Sequence, residues 1–338
     1  MARINNCSIG IGALLLLSCL HVGGQTQDIE LQRSQELDPV GIQRAYIDHQ
    51  GTVYALEETF HRIAVFDSNG MFKGQIGSIG QHRGEFYYPD DMAEAANGDL
   101  YVLEPDDRRV QATSTSGHFF LEFPIRHQAN AIVVNSKRHV LLADPYERGL
   151  ISEYDEHGVF LKSFGDKLSF SQVYGPQHRQ LDRQYIHGIN RVLLAVGRQD
   201  EVFVAFIGAP IIREYAPSGT LRHEWTYPDQ LAQSITHQIS NTLTVPTSEK
   251  FAEDGLAIPS FANGIAYDAD RQGLWVAVNW QSGHLLWVDP RQGKVKEDRL
   301  FQNPQMHLGR LTAPSGQGDL LALTWGWGRE TTLLYILK

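Results

Sequence analysis

The sequence predicts an all-β fold, a six-bladed β-propeller closed by an N-terminal strand, and three observations carry that expectation. A unit of strand, polar loop, second strand and Gly-containing turn recurs six times. The spacing suits blades: 338 residues less the first 24 leave 314, about 52 per unit, close to the ~40–50 of known propeller repeats. The sixth unit lacks an outer strand, and Asp28-Ile-Glu-Leu-Gln-Arg33, ahead of the first unit, has the alternation to supply it.

The first unit is Gly51-Thr-Val-Tyr-Ala-Leu56, the loop Glu57–His61, the strand Arg62-Ile-Ala-Val-Phe66 and the turn Asp67-Ser-Asn-Gly70. The second runs Gly98-Asp-Leu-Tyr-Val-Leu103, Glu104–Arg108, Arg109-Val-Gln-Ala-Thr113 and Ser116-Gly117. The third is His139–Ala143, Asp144–Gly149, Ile151–Tyr154 and Asp155–Gly158, and the fourth Glu201–Ala205, Phe206–Pro210, Ile211–Tyr215 and Pro217–Gly219. The fifth is Gly273–Val278, Asn279–Gly283, His284–Val288 and Asp289–Gly293. In the sixth, Asp319–Leu323 and Thr332–Lys338 flank the loop Thr324–Glu330. Asp28–Arg33 pairing beside Leu333-Leu-Tyr-Ile336 would close the ring and cover two strand edges.

Two insertions break the period, Gly165–Ile189 and Trp225–Ala262. In a four-stranded blade, outer-to-inner connections and second-to-third-strand loops emerge on one face. Both insertions are therefore expected on the face that carries Glu57–His61, Glu104–Arg108 and Asp144–Gly149. Asp229–Ser240 has the composition of a short helix lying over the ring. Loops on a rigid scaffold are where binding residues concentrate.

The stretch Gly77-Ser-Ile-Gly-Gln-His-Arg-Gly-Glu-Phe-Tyr-Tyr-Pro89, continuing through Gly98-Asp-Leu-Tyr-Val-Leu to Arg109-Val110, resembles an NHL repeat. The shared outline is a Gly-rich lead, Phe, Pro, a strand, Gly, a Tyr-Val strand, Asp and Arg-Val. The resemblance implies a six-bladed propeller of NHL type, a class often used as an interaction platform. Some such proteins bind RNA. A formal charge of −10 and a pI near 5.8 argue against nucleic acid here, because an acidic surface repels phosphate.

Residues 1–24 read as an export signal and 25–338 as the propeller domain. Arg3 gives the positive start, Ile9–Leu20 the apolar stretch and Val22-Gly23-Gly24 the small-residue cleavage site. The alternative is cleavage before Cys19, since Leu16-Leu-Ser-Cys19 resembles a bacterial lipobox. Lipid on that cysteine would tether the chain to a membrane. The expected location is thus periplasmic or secreted, or else lipid-anchored. Cys7 and Cys19 are the two cysteines. A chain cut after Gly24 has no disulfide and no thiolate chemistry.

No catalytic motif stands out: no Gly-x-Ser-x-Gly elbow, phosphate loop, His-Glu-x-x-His or dinucleotide fingerprint. No catalytic residue is assigned. The candidate ligand site is the channel mouth, where inner strands begin with Asp90 and Asp91, Asn130, His187 or Asn190, Asn263 and His307. A ring of carboxylate and amide oxygens suits a polar small ligand or a hard cation such as calcium. It equally suits a water-filled channel with polar walls. Asn263-Gly264-Ile265-Ala266 is similar to a segment of the senescence-marker and gluconolactonase propellers, which implies that Asn263 is a metal ligand. Asp268-Ala-Asp270-Arg-Gln-Gly273 is expected to be a turn rather than a calcium loop, because Asn279 stands where that loop needs Glu.

A second candidate is aromatic. Trp280, Trp325 and Trp327, with Trp225 and Tyr227, form either a platform for a sugar or partner side chain or packing between blades. Glu57, Glu58, Asp106 and Asp107 would rim it. Arg62 and Arg109 are expected to pair with loop carboxylates. The expected function is a non-catalytic binding or scaffold propeller for a protein, peptide or glycan, with no required cofactor. The alternative is a metal-dependent hydrolase or lactonase at the channel mouth.

Overall fold

Short apolar segments punctuated by Asp/Asn-Gly turns form hairpins, and these hairpins build the whole chain. The computed structural model describes residues 27–29, 42–48, 50–242, 260–280, 282–301, 306–312, 320–326 and 333–337. The export signal, with Cys7 and Cys19, lies outside them. Strand β1 (Gln27–Ile29) stands apart, and the first sheet follows as β2 (Ile42–Ile47), β3 (Val53–Glu57), β4 (Arg62–Phe66) and β5 (Phe72–Ile76). The next is β6 (Asp91–Glu94), β7 (Leu100–Glu104), β8 (Arg109–Thr113) and β9 (Phe119–Pro124). Then come β10 (Ala131–Val134), β11 (Val140–Ala143), β12 (Ile151–Tyr154) and β13 (Phe160–Phe164).

Helices α1 (Phe170–Tyr174) and α2 (Asp182–Ile189) flank a 3-10 turn, Pro176–Leu181, in the first insertion. The fourth sheet is β14 (Val192–Val196), β15 (Val202–Phe206), β16 (Ile211–Tyr215) and β17 (Leu221–Thr226). Helix α3 (Asp229–Thr242) follows where the sequence predicts one. The fifth sheet is β18 (Ala262–Asp268), β19 (Gly273–Trp280), β20 (Ser282–Asp289) and β21 (Lys294–Phe301). The last is β22 (Met306–Thr312), β23 (Leu320–Gly326) and β24 (Leu333–Leu337), with β1 as its fourth strand.

Every sheet is four-stranded and antiparallel, and the inner strands β2, β6, β10, β14, β18 and β22 neighbour one another in turn, β22 returning to β2. This is an all-β propeller. Strand β1 pairs antiparallel with β24, Asp28 opposite Tyr335 and Ile29 opposite Leu334. That pairing joins the two ends of the described chain in one sheet and covers the β24 edge.

Burial departs from the alternation read in the sequence. Strands β3, β7, β8, β11, β12 and β15 are buried at every position. A blade's middle strands have a neighbouring blade against each face, so neither face is solvated. The outer strands β9, β13 and β17 do expose side chains.

One large core cluster joins the third, fourth and fifth sheets to both insertions. Phe170, Tyr174, Tyr227 and Ile235 pack into it with Leu194, Phe206 and Val276. Burying a side chain of this size stabilises by ~1.5–3 kcal/mol, so these residues anchor α1 and α3 to the ring. Helix α1 carries a capping box: Ser169 Oγ accepts from Gln172 N and Gln172 returns a bond to the Ser169 amide. The Ser-x-x-Gln spacing is visible in the sequence, though the first insertion was not predicted to be helical.

Candidate functional site: a cavity at the channel mouth

The second-to-third-strand loops and the outer-to-inner connections share one face, as the hairpin geometry requires. Between them lies a cavity of about 400 Å³. It is lined by Glu58, Tyr88, Asp90, Asp106, Gln128, Asn130, Tyr146, His187 and Arg191, among others.

Its walls are held from behind. The Gly-rich segment before β6 turns at Gly77, φ +79°, where a Cβ would lie 2.4 Å from the Phe86 ring, so only glycine fits. Arg109 on β8 then ties that segment down. Its guanidinium binds Glu104 on β7 through Nε–Oε1 at 3.0 Å and Nη2–Oε2 at 2.9 Å. It also donates to Gln81 O at 2.6 Å and Glu85 O at 2.9 Å. Glu104 accepts the Tyr87 amide at 2.7 Å, and Gln111 spans Glu104 Oε1, Glu85 O and the Gly84 amide. Burial pushes the Glu104 carboxyl above its ordinary range, with Arg109 opposing it.

The segment ends in Tyr88, 45 % exposed and held at φ +48°. Its amide donates to Nδ1 of buried His61 at 2.8 Å, and the His61 ring meets the Tyr88 ring edge-on at 4.7 Å. His61 therefore carries any single ring proton on Nε2. In the same lining Tyr146, 48 % exposed, stacks on His187 at 4.3 Å. His187 Nδ1 lies 2.9 Å from Pro145 O, which fixes that ring in turn. Both tyrosines adjoin a proline, Pro89 and Pro145, which stiffens the backbone presenting them.

Next to Asp90 the inner strands carry a buried cluster of charge. Arg44 of β2 and Asp91 of β6 form a buried two-point ion pair, 2.9 and 3.2 Å. Asp91 also accepts the amides of Met92 at 2.9 Å and Ile132 at 3.1 Å. Arg44 Nη1 reaches Leu311 O on β22 at 3.1 Å. Burial alone would raise the Asp91 pKa, but Arg44 and Arg310 hold it below the usual range, while Arg44 itself is raised. Burial pushes Asp90 up, against the pull of Arg310 and Arg191. Arg310, whose pKa burial lowers, has an Nη1 with no hydrogen-bond partner among the described residues.

Of the sequence-predicted residues, Asp90, Asn130 and His187 meet in this cavity. Asp91 belongs to the ion pair with Arg44. Asn190 is buried, bonded to the backbone of Leu168 and Ile186. Asn263 on β18 accepts from Ser260 Oγ at 2.8 Å. His307 lies opposite Trp325 in the β22–β23 ladder, and Trp280 ends β19. The side chains of His307, Trp280 and Trp325, and all of Trp327, lie outside the described residues.

Trp225 and Tyr227 are 7 % and 1 % exposed, so they pack the core and form no platform. The acidic rim divides. Glu58 and Asp106 line the cavity, whereas Glu57 pairs with Arg62 at 2.6 Å and Asp107 lies 3.6 Å from Arg109. The expected pairing of Arg62 and Arg109 with loop carboxylates is present. Asp268 closes a turn, accepting the amides of Asp270 and Arg271.

The cavity tyrosines and Arg191 were not singled out in the sequence. An exposed tyrosine beside proline in a channel-face loop was the available signal. His127, Asp144 and Glu147 bring potential metal-ligating atoms within 4.8 Å of one another. Each is already engaged. Asp144 accepts from Tyr146 N, Glu147 N and Ser152 Oγ and meets His127 Nδ1, and Glu147 pairs with Arg126.

No protein-family profile matches the chain. Over 140 residues, 40 % of the chain, it is 27 % identical to Protein brain tumor of Drosophila melanogaster. That match spans only 13 % of the fly protein's length. Among solved structures, a Bacteroides fragilis protein assigned to export superposes with TM-score 0.59 at 12 % identity, covering 93 % of this chain and 94 % of that one. A catalytically inactive virginiamycin B lyase from Staphylococcus aureus, with quinupristin, gives 0.56 at 11 % identity, covering 90 % and 83 %. The RRP9 WD40 repeats give 0.57 at 10 % identity, covering 92 % and 96 %. At these identities the likeness is one of fold: the chain is a β-propeller. Among the described residues, no helix is long and apolar enough to cross a membrane.

Proposed function

We propose that this chain is an exported, non-catalytic binding propeller of six blades and NHL type, presenting its channel-face loops to a protein, peptide or glycan. The observation that carries the reading is the braced pair Tyr88 and Tyr146. Large exposed aromatics are stiffly held in the lining of one polar cavity, as binding hot spots are. The described lining offers no serine, threonine, cysteine or lysine, so it supplies none of those nucleophiles. Export rests on the apolar leader read at residues 9–20, and a lipid on Cys19 remains the alternative route to the same compartment.

The metal-dependent hydrolase is the weaker reading because the donor set fits a divalent cation poorly. Both Asp91 oxygens are taken by Arg44 and backbone amides. Asn263 Oδ1 is occupied by Ser260. A stoichiometric divalent ion in purified protein, released by Asn263→Ala, would restore that reading.

The test uses the mature chain on peptide and glycan arrays. Changing Tyr88 and Tyr146 together to alanine should abolish binding with the melting temperature retained. Lys137→Glu, in a turn at the opposite ends of the strands, should leave binding intact. Equal binding by the double variant would remove this face from consideration.

A further inference from the structure

The cavity's chemistry is lopsided, and the imbalance specifies a ligand. Its lining holds three carboxylates, Glu58, Asp90 and Asp106, against the guanidinium of Arg191, with buried Arg310 as a second positive charge near Asp90. Among the described residues, no protein group donates a hydrogen bond to the Asp90 carboxylate. Asn130, only 6 % exposed, lines the same cavity. Its Nδ2 is anchored on Val192 O at 2.8 Å, and its Oδ1 has no hydrogen-bond partner among the described residues. A buried acceptor left without a donor is destabilising, and a ligand N–H would satisfy it.

Acceptors of this kind between two tyrosines make a cation-binding arrangement. An ammonium or guanidinium gains from ring faces and from charge-assisted hydrogen bonds. A compact metal ion gains nothing from the aromatic walls. A nucleic-acid phosphate would meet the carboxylates. The chain's net charge of −10 would steer a basic partner toward the surface.

We propose that the channel-mouth cavity receives a lysine or arginine side chain of a protein partner, its cationic head set against Asp90 and the Asn130 carbonyl and its stem between Tyr88 and Tyr146. This rests on the binding reading above and names the partner chemistry for that site.

The experiment is calorimetric titration with three capped tripeptides, acetyl-Gly-Arg-Gly-amide, acetyl-Gly-Lys-Gly-amide and acetyl-Gly-Gln-Gly-amide, and with a neutral disaccharide such as cellobiose. At least one basic peptide should bind about tenfold tighter than the glutamine peptide, the worth of one good charged contact. Added salt should weaken it. Asp90→Asn and Tyr146→Ala should each erase the preference while the melting temperature holds, and the difference between arginine and lysine peptides tells which head group is preferred. Equal binding of the glutamine peptide, a preference that survives Asp90→Asn, or cellobiose binding without peptide binding would each overturn the proposal. Array binding that needs Tyr88 and Tyr146 yet ignores basic peptides would overturn only this inference. Loss of all array binding would overturn the broader reading as well.

Discussion

Arg44 of β2 and Asp91 of β6 pair between neighbouring inner strands, Nε to Oδ1 at 2.9 Å and Nη2 to Oδ2 at 3.2 Å, with Asp91 fully buried. Asp91 also takes an amide from β10, and Arg44 reaches a carbonyl on β22. Two side chains thus tie four of the six inner strands together, including the β2–β22 junction where the ring closes. The pair explains why an aspartate at a channel-facing position need not be a ligand group.

Removing one partner strands the other charge in the interior. Asp91→Ala should cost about 3–5 kcal/mol in urea unfolding. The pH dependence has a definite sign. The folded-state pKa of Asp91 is lowered despite its burial, because Arg44 and Arg310 outweigh desolvation. Its contribution is therefore complete above the unfolded-chain value, near 3.9, and is lost as pH falls through the lower folded value. Wild type should lose stability in that acid range more steeply than Asp91→Asn. Matching acid profiles would show that the pair contributes nothing.

Glu94, at the far end of β6, titrates in the opposite sense. Burial, helped by the nearby Asp48 carboxylate, raises it to about 7. A carboxyl with a raised folded pKa favours the native state while protonated, and that contribution is lost as pH rises from the unfolded value, about 4.3, through about 7. Glu94→Gln should accordingly stabilise the protein at pH 8, by up to ~2 kcal/mol after solvent screening, and change little at pH 4. Thermal melts at the two pH values decide it. A gain of equal size at both would assign the effect to packing instead.

Arg109 is expected to act on the cavity from a distance. It holds the backbone of Gln81 and Glu85 and, through Glu104, the Tyr87 amide. Arg109→Ala should cost ~2–3 kcal/mol and free the segment that ends in Tyr88. Trypsin should then cut after exposed Arg83 at least about tenfold faster, since the opening free energy falls by more than 1.4 kcal/mol. Arg109→Lys keeps the charge but loses the fork and should fall between. Unchanged cleavage would mean that the segment is held without Arg109.

The sequence made the blades legible because hairpin turns are written locally. Asp67-Ser-Asn-Gly70 and Asn97-Gly98 announce themselves through residues that tolerate tight turns. The ring's closure was legible too, since an unpaired β24 edge calls for a strand and Asp28-Ile29 had the alternation. The site was half legible. Asp90, Asn130 and His187 open or precede inner strands, and counting units finds them. Tyr88 and Tyr146 lie in irregular loops whose direction depends on His61 and His187, residues distant in sequence. Arg44 was invisible for the same reason: its partner is 47 positions away. Trp225 and Tyr227 misled because composition cannot tell a lid's exposed face from its packed one.

That packed face offers a matched pair of tests. Tyr174 and Tyr227 are both buried, and burial pushes both phenols well above their ordinary pKa. Tyr174 donates its hydroxyl to the carbonyl of Gly208 in the β15–β16 loop, whereas the Tyr227 hydroxyl has no partner among the described residues. The same change should therefore act in opposite directions. Tyr174→Phe leaves the Gly208 carbonyl unsatisfied and should destabilise by ~1–2 kcal/mol, whereas Tyr227→Phe removes a buried unpaired hydroxyl and should be neutral or stabilising by up to ~1 kcal/mol. Urea midpoints of the two variants, measured beside wild type with m-values checked for constancy, give the answer. If Tyr227→Phe destabilises as much as Tyr174→Phe, then the Tyr227 hydroxyl does have a partner in solution, and the helix α3 insertion is held to the ring by polar contacts as well as by its apolar face.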